Sequence, residues 1–373
     1  MNGRKRWAIL ELYCGESGKI GFYNSQELGL ARALREKEIE TTIVYPVKGL
    51  KRAELQEVES GITILRQPCR TVGIHAFYDL QFLLDRKIDV VHLDSDNQMY
   101  APAVMRFCGK HGITFYNYVG TIYSDTENRW KRKVMDLISA RNIRYFKKYG
   151  VAAKTEAVRQ VLEKRGLSCV PVIPVGLDTS QIKKAGENKK ELCEKLGIPY
   201  DKKRLLFVGR MENYKRPLAA LKLLENLDAG YVLIMIGNGS LRGEVEAEIR
   251  KMGLEQRVFY RRQIPNIEMY RYYSAADYYI NFNTHEIFGM SILEAMYQEC
   301  TVVARRAPGP EEMIENGCTG FLCDSDEEMR DCIIQRKSDK IGERARQRVE
   351  SVFTWSRSAE KLIDYAAKRG NVS

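Results

Sequence analysis

At 373 residues the chain is too long for one typical hydrophobic core and suits two domains. Its 44% hydrophobic and 29% charged content is that of a globular protein, no apolar run approaches the ~20 residues of a membrane span, and nine scattered cysteines, none at CxxC spacing, indicate neither a zinc site nor a disulfide framework. The net charge of +11 sits mostly in the first part: residues 1–170 carry 28 Lys and Arg against 19 Asp and Glu, which suggests an anionic partner there, whether membrane lipid, an anionic acceptor or nucleic acid.

The basic but weakly apolar start, Met1–Leu10, lacks the core and cleavage site of a signal peptide and runs into a strand, Trp7–Cys14. A glycine loop, Gly15-Glu-Ser-Gly18-Lys-Ile-Gly21, opens a helix over Phe22–Glu38. Its amides can approach a ligand, although it does not match the dinucleotide fingerprint. Thr41–Val47, Ile88–Leu93, Ile113–Val119, Val151–Ala153 and Val170–Val175 read as further strands, with helices such as Ala101–His111 and Thr155–Arg165 between them. That alternation argues for a parallel doubly wound sheet. Arg129–Lys148 holds eight basic residues and one acid. Trp130, Val134, Leu137 and Ile138 share one helical face, while basic residues, Lys131, Arg132 and Lys133 among them, fill the other. This suits a helix lying on an anionic membrane, or one packed on its own domain with a solvated basic face.

Pro174–Asp178 and the charged stretch Lys183–Lys190 mark a domain exit, so the chain divides into residues 1–170 and 171–355. The pattern then restarts, with strands at Arg204–Val208, Tyr231–Ile236, Val258–Tyr260, Tyr278–Phe282, Thr301–Ala304 and Gly320–Cys323. Gly209, Arg210 and Lys215 follow the first of these and set a guanidinium and an ammonium at a strand end. The richest stretch, Asn283–Met296, follows the strand Tyr278–Phe282. There Phe288-Gly289 lets backbone approach closely, and a helix from Met290 offers the amides of Met290, Ser291 and Ile292 as a seat for phosphate. Glu286 and Glu294, with seven residues between them, bracket that seat.

A Glu, seven residues and a Glu, with Phe-Gly after the first and Glu-Ala-Met at the second, resembles the signature of the retaining family-4 glycosyltransferases of the GT-B fold. Pro174-Val-Gly-Leu-Asp178, Phe207-Val-Gly-Arg210 with Lys215, Gly237-Asn-Gly239 and Phe321 resemble further elements of that family. The resemblance implies an α/β protein of two Rossmann-like doubly wound parallel-sheet domains facing a cleft, with a last helix, 356–373, crossing back onto the first domain. It implies Glu286 beside the donor sugar, Glu294 on the ribose, and the Met290–Ile292 amides on the diphosphate. Arg210 and Lys215 would neutralise the leaving group in place of a metal. Gln263 and Ile264, in the loop 262–266, would meet the nucleobase, Gly18 would border the acceptor and the donor phosphate, and His92, Asp94, Asn117 and Tyr118 would lie on the acceptor side. One departure stands out. Family members often carry a His at the end of the strand that here reads Phe115–Gly120, and this chain has Asn117 and Tyr118 there.

The expectation is a hexosyltransferase that moves a hexose or N-acetylhexosamine from a nucleotide diphosphate sugar, UDP favoured, to a hydroxyl of a glycan or lipid-linked acceptor in polysaccharide or glycoconjugate synthesis. It would retain configuration, need no metal or other cofactor, and work in the cytoplasm or peripherally on the inner face of an anionic membrane, with no nucleic-acid partner. Three other readings stand beside it. Asp94-Ser95-Asp96 could chelate Mn²⁺ or Mg²⁺ in the other transferase architecture, GT-A. A GT-B sugar-nucleotide epimerase would need carboxylates and His around the sugar. A basic membrane- or nucleic-acid-binding module would use the positive segment alone, without a nucleic-acid fold signature.

Overall fold

The computed structural model describes residues 5–14, 26–122, 129–183, 188–335 and 340–370, with the side chains of Arg129, Lys131 and Arg132 outside that description. Gly18 and its loop also lie outside the described residues. The chain divides into two compact units, Met1–Gly176 with Trp355–Ser373, and Leu177–Thr354.

Unit 1 runs β1 (Arg6–Leu10), α1 (Gln26–Arg35), β2 (Glu40–Lys48), β3 (Glu54–Glu59), β4 (Ile62–Val72), β5 (His75–Phe77), α2 (Phe82–Asp85), β6 (Val90–Asp94), α3 (Ala101–Lys110), β7 (Thr114–Val119), α4 (Arg129–Tyr149), β8 (Val151–Ala153) and α5 (Glu156–Lys164). Its sheet has the order β3-β4-β2-β1-β6-β7-β8, parallel from β4 to β8, with β3 and β5 pairing antiparallel to β4. The sequence reading lacks β3, β4 and β5 and expects one strand that does not form; two of these differences have physical causes. β3, Glu-Leu-Gln-Glu-Val-Glu, is an edge strand exposed along most of its length, so it carries no buried period to read. Val170–Val175 forms no strand and touches the sheet through one bridge, Ala153 to Val172, because β8 is only three residues long.

Unit 2 runs α6 (Lys189–Leu196), β9 (Lys203–Val208), α7 (Pro217–Glu225), β10 (Tyr231–Ile236), α8 (Arg242–Lys251), β11 (Val258–Arg261), α9 (Met269–Ala275), β12 (Tyr278–Asn281), α10 (Met290–Tyr297), β13 (Thr301–Arg305), α11 (Pro308–Met313), β14 (Phe321–Cys323), α12 (Asp326–Ile334) and α13 (Ile341–Val352). The last helix, α14 (Trp355–Gly370), belongs to unit 1 and packs on α1 and β7. All six strands of unit 2 are parallel, in the order β11-β10-β9-β12-β13-β14. Alternate residues feed two cores. Leu206, Ile234, Tyr279 and Val302 pack on one face of the sheet, and Leu205, Leu233, Tyr278 and Val303 on the other. Helices α9, α10 and α13 cover the first face, and α7, α8 and α12 the second. A buried ion pair ties the lower end of this sheet: Arg204, 4% exposed, meets Asp277 Oδ2 at 2.8 Å, and Lys189 Nζ meets its Oδ1 at 2.7 Å.

Each sheet winds outward in both directions from a central strand, β1 in unit 1 and β9 in unit 2. The order reverses between β1 and β6, and between β9 and β12. Ligands of open parallel sheets sit at the carboxyl ends of the strands at such a reversal.

Candidate functional site

In unit 2 the reversal is also physically open. β9 and β12 pair only through Leu205–Tyr278 and Leu206–Tyr279, so the last residues of both strands have no ladder partner in each other. The loops that leave this edge carry the charged groups. Beyond Val208, Gly209 and Arg210 lead into a 3₁₀ turn, Asn213–Lys215. The exposed Tyr214 ring lies under both cations, 5.4 Å from the Arg210 guanidinium and 5.5 Å from Lys215 Nζ. Lys215 Nζ also donates to Glu286 Oε2 at 2.5 Å, across 71 residues of sequence.

Glu286 is held at that spot by its own loop. Asn283 Nδ2 and Asn281 Nδ2 point to the same Oε2 at 3.2 and 3.5 Å, and the Glu286 carbonyl accepts from Gly309 N at 2.7 Å. Gly309 can come that close only without a side chain, since a Cβ there would lie 2.2 Å from the Phe288 carbonyl oxygen. The loop ends at Gly289, whose φ of +96° is a left-handed turn that favours glycine and starts α10. Ile292 N already donates to the Gly289 carbonyl and its side chain is buried in the core. That leaves Met290 and Ser291 as the opening amides of the helix, with the positive end of its dipole.

Two tyrosines of the buried face tie this helix to the sheet. Tyr279 OH donates to Ser291 Oγ at 2.7 Å, and burial pushes its phenol well above the ordinary range. Tyr273 OH donates at 2.7 Å to Glu294 Oε2, and Glu294 is 5% exposed. The neighbouring loop is fitted by glycine as well: at Gly237, φ +148°, a Cβ would lie 1.8 Å from the Gly209 carbonyl oxygen. The loop after β10 therefore lies against the loop that carries Arg210. Gln263 and Ile264 follow β11, the former exposed and the latter half-buried against the core. Three strand spacings separate β11 from β12, roughly 14 Å.

The corresponding edge of unit 1 holds a second polar cluster. Asp94 ends β6, where it accepts from Lys154 Nζ at 2.6 Å and lies 3.6 Å from His92 Nε2. Burial opposes its charge, but Lys154 and His92 hold the carboxyl well below its usual range. The Lys154 ammonium sits 4.8 Å over the Tyr118 ring; burial works against it, and Asp94 and Asp96 raise its pKa further than burial lowers it. Glu11, just beyond β1, is pushed the other way: burial, then Glu27, then Asp94 keep its carboxyl well above the carboxylate range. Asp96 accepts from the amides of Gly120 and Thr121, at 2.6 and 3.2 Å. The two Asp carboxylates are thus turned to different partners, and among the described residues no group of three His, Cys, Asp or Glu is set to hold a metal.

His92 and Tyr118 come together on one face of the sheet, their rings 5.0 Å apart, but Asn117 does not join them. It lies on the opposite face of β7, where its Nδ2 donates to the Gly150 carbonyl at 2.7 Å. Lys154 and Glu11 carry no sequence motif; their one signal is a position immediately after a short strand. Tyr273, Tyr279 and Gly309 have no signal in local spacing at all.

Residues 188–352 match the model of a family described as glycosyl transferases group 1. An α-monoglucosyldiacylglycerol synthase of Streptococcus pneumoniae is 27% identical over 199 residues, 50% of this chain and 44% of that protein. The chain spans about half the length of the curated relatives it matches, 44% and 56% of two of them. Among solved structures, sucrose-phosphate synthase from Thermosynechococcus elongatus superposes with a TM-score of 0.77 at 15% identity, over 99% of this chain and 100% of that one. Anabaena Alr3699/HepE, in complex with UDP-glucose, superposes with a TM-score of 0.69 at 18% identity, over 97% and 99%. Residues 188–352 are thus similar to the group 1 glycosyl transferases, in a chain of GT-B fold.

Proposed function

We propose that the chain is a retaining, family-4 type hexosyltransferase that uses a UDP-sugar and passes its hexose or N-acetylhexosamine to a hydroxyl of a glycan or lipid-linked acceptor. In this reading unit 2 is the nucleotide-sugar domain, and unit 1, with α14, supplies the acceptor-side groups. The observation that carries it is the convergence of Arg210, Lys215, Glu286 and the opening turn of α10 at the open strand ends of unit 2. Anabaena HepE is in complex with UDP-glucose, and this supports UDP as the nucleotide here.

Breaking the bond between the sugar C1 and the phosphate oxygen leaves negative charge on the diphosphate. Arg210 would meet that charge with a planar fork, Lys215 with a point charge, and Met290 and Ser291 with backbone amides. Glu294 would accept from the ribose hydroxyls, and the loop 262–266 would border the base. Lys215 would be shared between Glu286 and the diphosphate, so the charge of Glu286 would help place the lysine and the donor sugar in one register. The acceptor hydroxyl would attack C1 from the face the diphosphate leaves, its proton passing to the departing phosphate oxygen, which preserves configuration. With two cations and a helix terminus on the leaving group, the reaction is proposed to need no metal.

The test is a panel of UDP-, GDP- and ADP-sugars, with free nucleotide diphosphate and the product anomer read by NMR, with and without a chelator. Release of UDP with a retained anomer, unaffected by chelation, is expected. Inversion, loss of activity in the chelator, or isomerisation of the sugar nucleotide without release would reject the corresponding part of the reading.

A further inference from the structure

Helix α4 turns the wrong residues outward for a helix that serves only its own domain. Its inner face is well seated: Ile138, Ser139, Asn142, Ile143 and Phe146 are all 8% exposed or less. Asn142 Nδ2 donates to the carbonyls of Asp96 and Gln98, at 3.3 and 3.0 Å, and Ser139 Oγ to Asn97 Oδ1 at 2.5 Å. The opposite side should then be polar. Instead Trp130 is 78% exposed, Val134 53% and Leu137 72%. Among the described residues these are three of the ten large apolar side chains that face solvent, and they follow one another at i, i+4 and i+7. Ile138, which shares their face on a coarse reading, is 8% exposed and belongs to the core side.

The same stripe continues down the helix as charge. Arg141, Arg144 and Lys148 extend the series at i+11, i+14 and i+18, and all three are exposed. Lys133 stands beside Trp130, its Nζ 5.5 Å from the ring. At the C-terminal end of α4, Lys147 and Lys148 line a cavity of about 240 Å³ with Arg369, Ser168 and Tyr365, and no carboxylate lines it. One straight line on the surface is therefore apolar for its first half and cationic for its second, and ends at a basic cavity.

We propose that this stripe is a docking surface for an anionic lipid bilayer, with Trp130, Val134 and Leu137 entering the acyl boundary and the Arg141–Lys148 end lying among phosphate head groups. Charge decides the occupant. A second copy of the chain would bring the same cations against these. A nucleic-acid backbone would satisfy the cations but leave the apolar half in water. An anionic bilayer satisfies both, as apolar area and interfacial charge act together. The aromatic–cation pair Trp130–Lys133 fits the head-group level, where an amphipathic ring has one apolar and one wet side. The proposal deepens the reading of a lipid-linked acceptor. Vesicle binding needs no sugar donor and transfer to a water-soluble acceptor needs no vesicle, so either can fail alone.

Co-sedimentation of the full chain with phosphatidylglycerol–phosphatidylcholine vesicles, against phosphatidylcholine alone, tests it. Binding is expected to anionic vesicles only, and to weaken as salt is raised. The triple variant Trp130→Ser/Val134→Ser/Leu137→Ser should bind at least about tenfold more weakly, and Arg141→Glu/Arg144→Glu/Lys148→Glu on the order of a hundredfold. All six positions are on the surface, so an unchanged thermal melt confirms that each variant is folded. Wild-type protein that stays in the supernatant, or a triple serine variant that sediments like wild type, overturns the proposal. So does a dimer in solution that the serine variant dissolves, or duplex DNA that displaces the protein from vesicles while the serine variant binds as before.

Discussion

Lys215 Nζ and Glu286 Oε2 lie 2.5 Å apart and connect the loops that leave two strands, β9 and β12, whose own pairing stops two residues short. The pair thus bridges the opening at the reversal of the sheet. Its geometry separates two roles. On the proposed reading Lys215→Ala would remove a cation from the leaving group, and it is expected to lower kcat by about a hundredfold or more, the usual cost of losing one preorganised stabiliser, with KM for the donor moved only a few-fold. Glu286→Gln keeps the shape but releases the lysine. Wild-type turnover in Lys215→Ala would remove this site from the reaction.

Glu294 should separate along the other axis. It is buried under Tyr273 and sits one turn inside α10, where its carboxylate is aimed before any ligand arrives. Glu294→Ala is expected to raise KM for the donor by about tenfold or more, and to leave kcat at saturation within a few-fold. Tyr273→Phe removes only the orienting hydrogen bond, so it should give an intermediate KM, a loss of about 1 kcal/mol. A Tyr273→Phe variant weaker than Glu294→Ala would mean that the tyrosine binds the donor itself.

Much of the fold was legible because strands of parallel sheets are short apolar runs between amphipathic helices, and β9, β10, β12 and β13 are such runs. Glu286, Gly289 and Glu294 were legible as a group because one loop and one helix turn hold them, so their spacing survives in the sequence. Tyr279 and Gly309 were not, since their contacts with Ser291 and with the Glu286 loop arise only when separate elements close. Asn117 and Tyr118 show the limit of adjacency: neighbours in a strand face opposite sides of it, and their side chains never meet. The outward face of α4 was ambiguous because the apolar residues of that helix span both sides, and only packing shows which are covered.

Gly237 offers a test of the site's backbone. Its φ of +148° and a prospective Cβ 1.8 Å from the Gly209 carbonyl oxygen leave no room for alanine unless the two loops part. Gly237→Ala is expected to cost about 1–3 kcal/mol and to weaken donor binding through displacement of Arg210. Gly243→Ala, in α8 with open space at its Cβ, should instead stabilise by about 0.5–1 kcal/mol. Thermal melts of the two variants measure the contrast, and equal shifts would show that the Gly237 loop yields easily.

Asp277 predicts how unit 2 responds to acid. Burial raises its pKa, but Lys189 and then the Arg204 backbone and guanidinium lower it further, so the folded carboxyl titrates below its ordinary value. A carboxyl depressed by folding contributes stability that is complete above the unfolded value of about 4 and is lost as pH falls through the folded one. At neutral pH Asp277→Asn leaves the 4% exposed Arg204 without its counter-ion, and is expected to cost about 3–5 kcal/mol. Denaturant melts of wild type and Asp277→Asn should therefore differ most at pH 6–8 and converge as the pH drops below about 4, because protonation then deprives wild type of the same charge. If the gap between them stayed constant down to pH 3, the pair would be contributing through packing rather than charge.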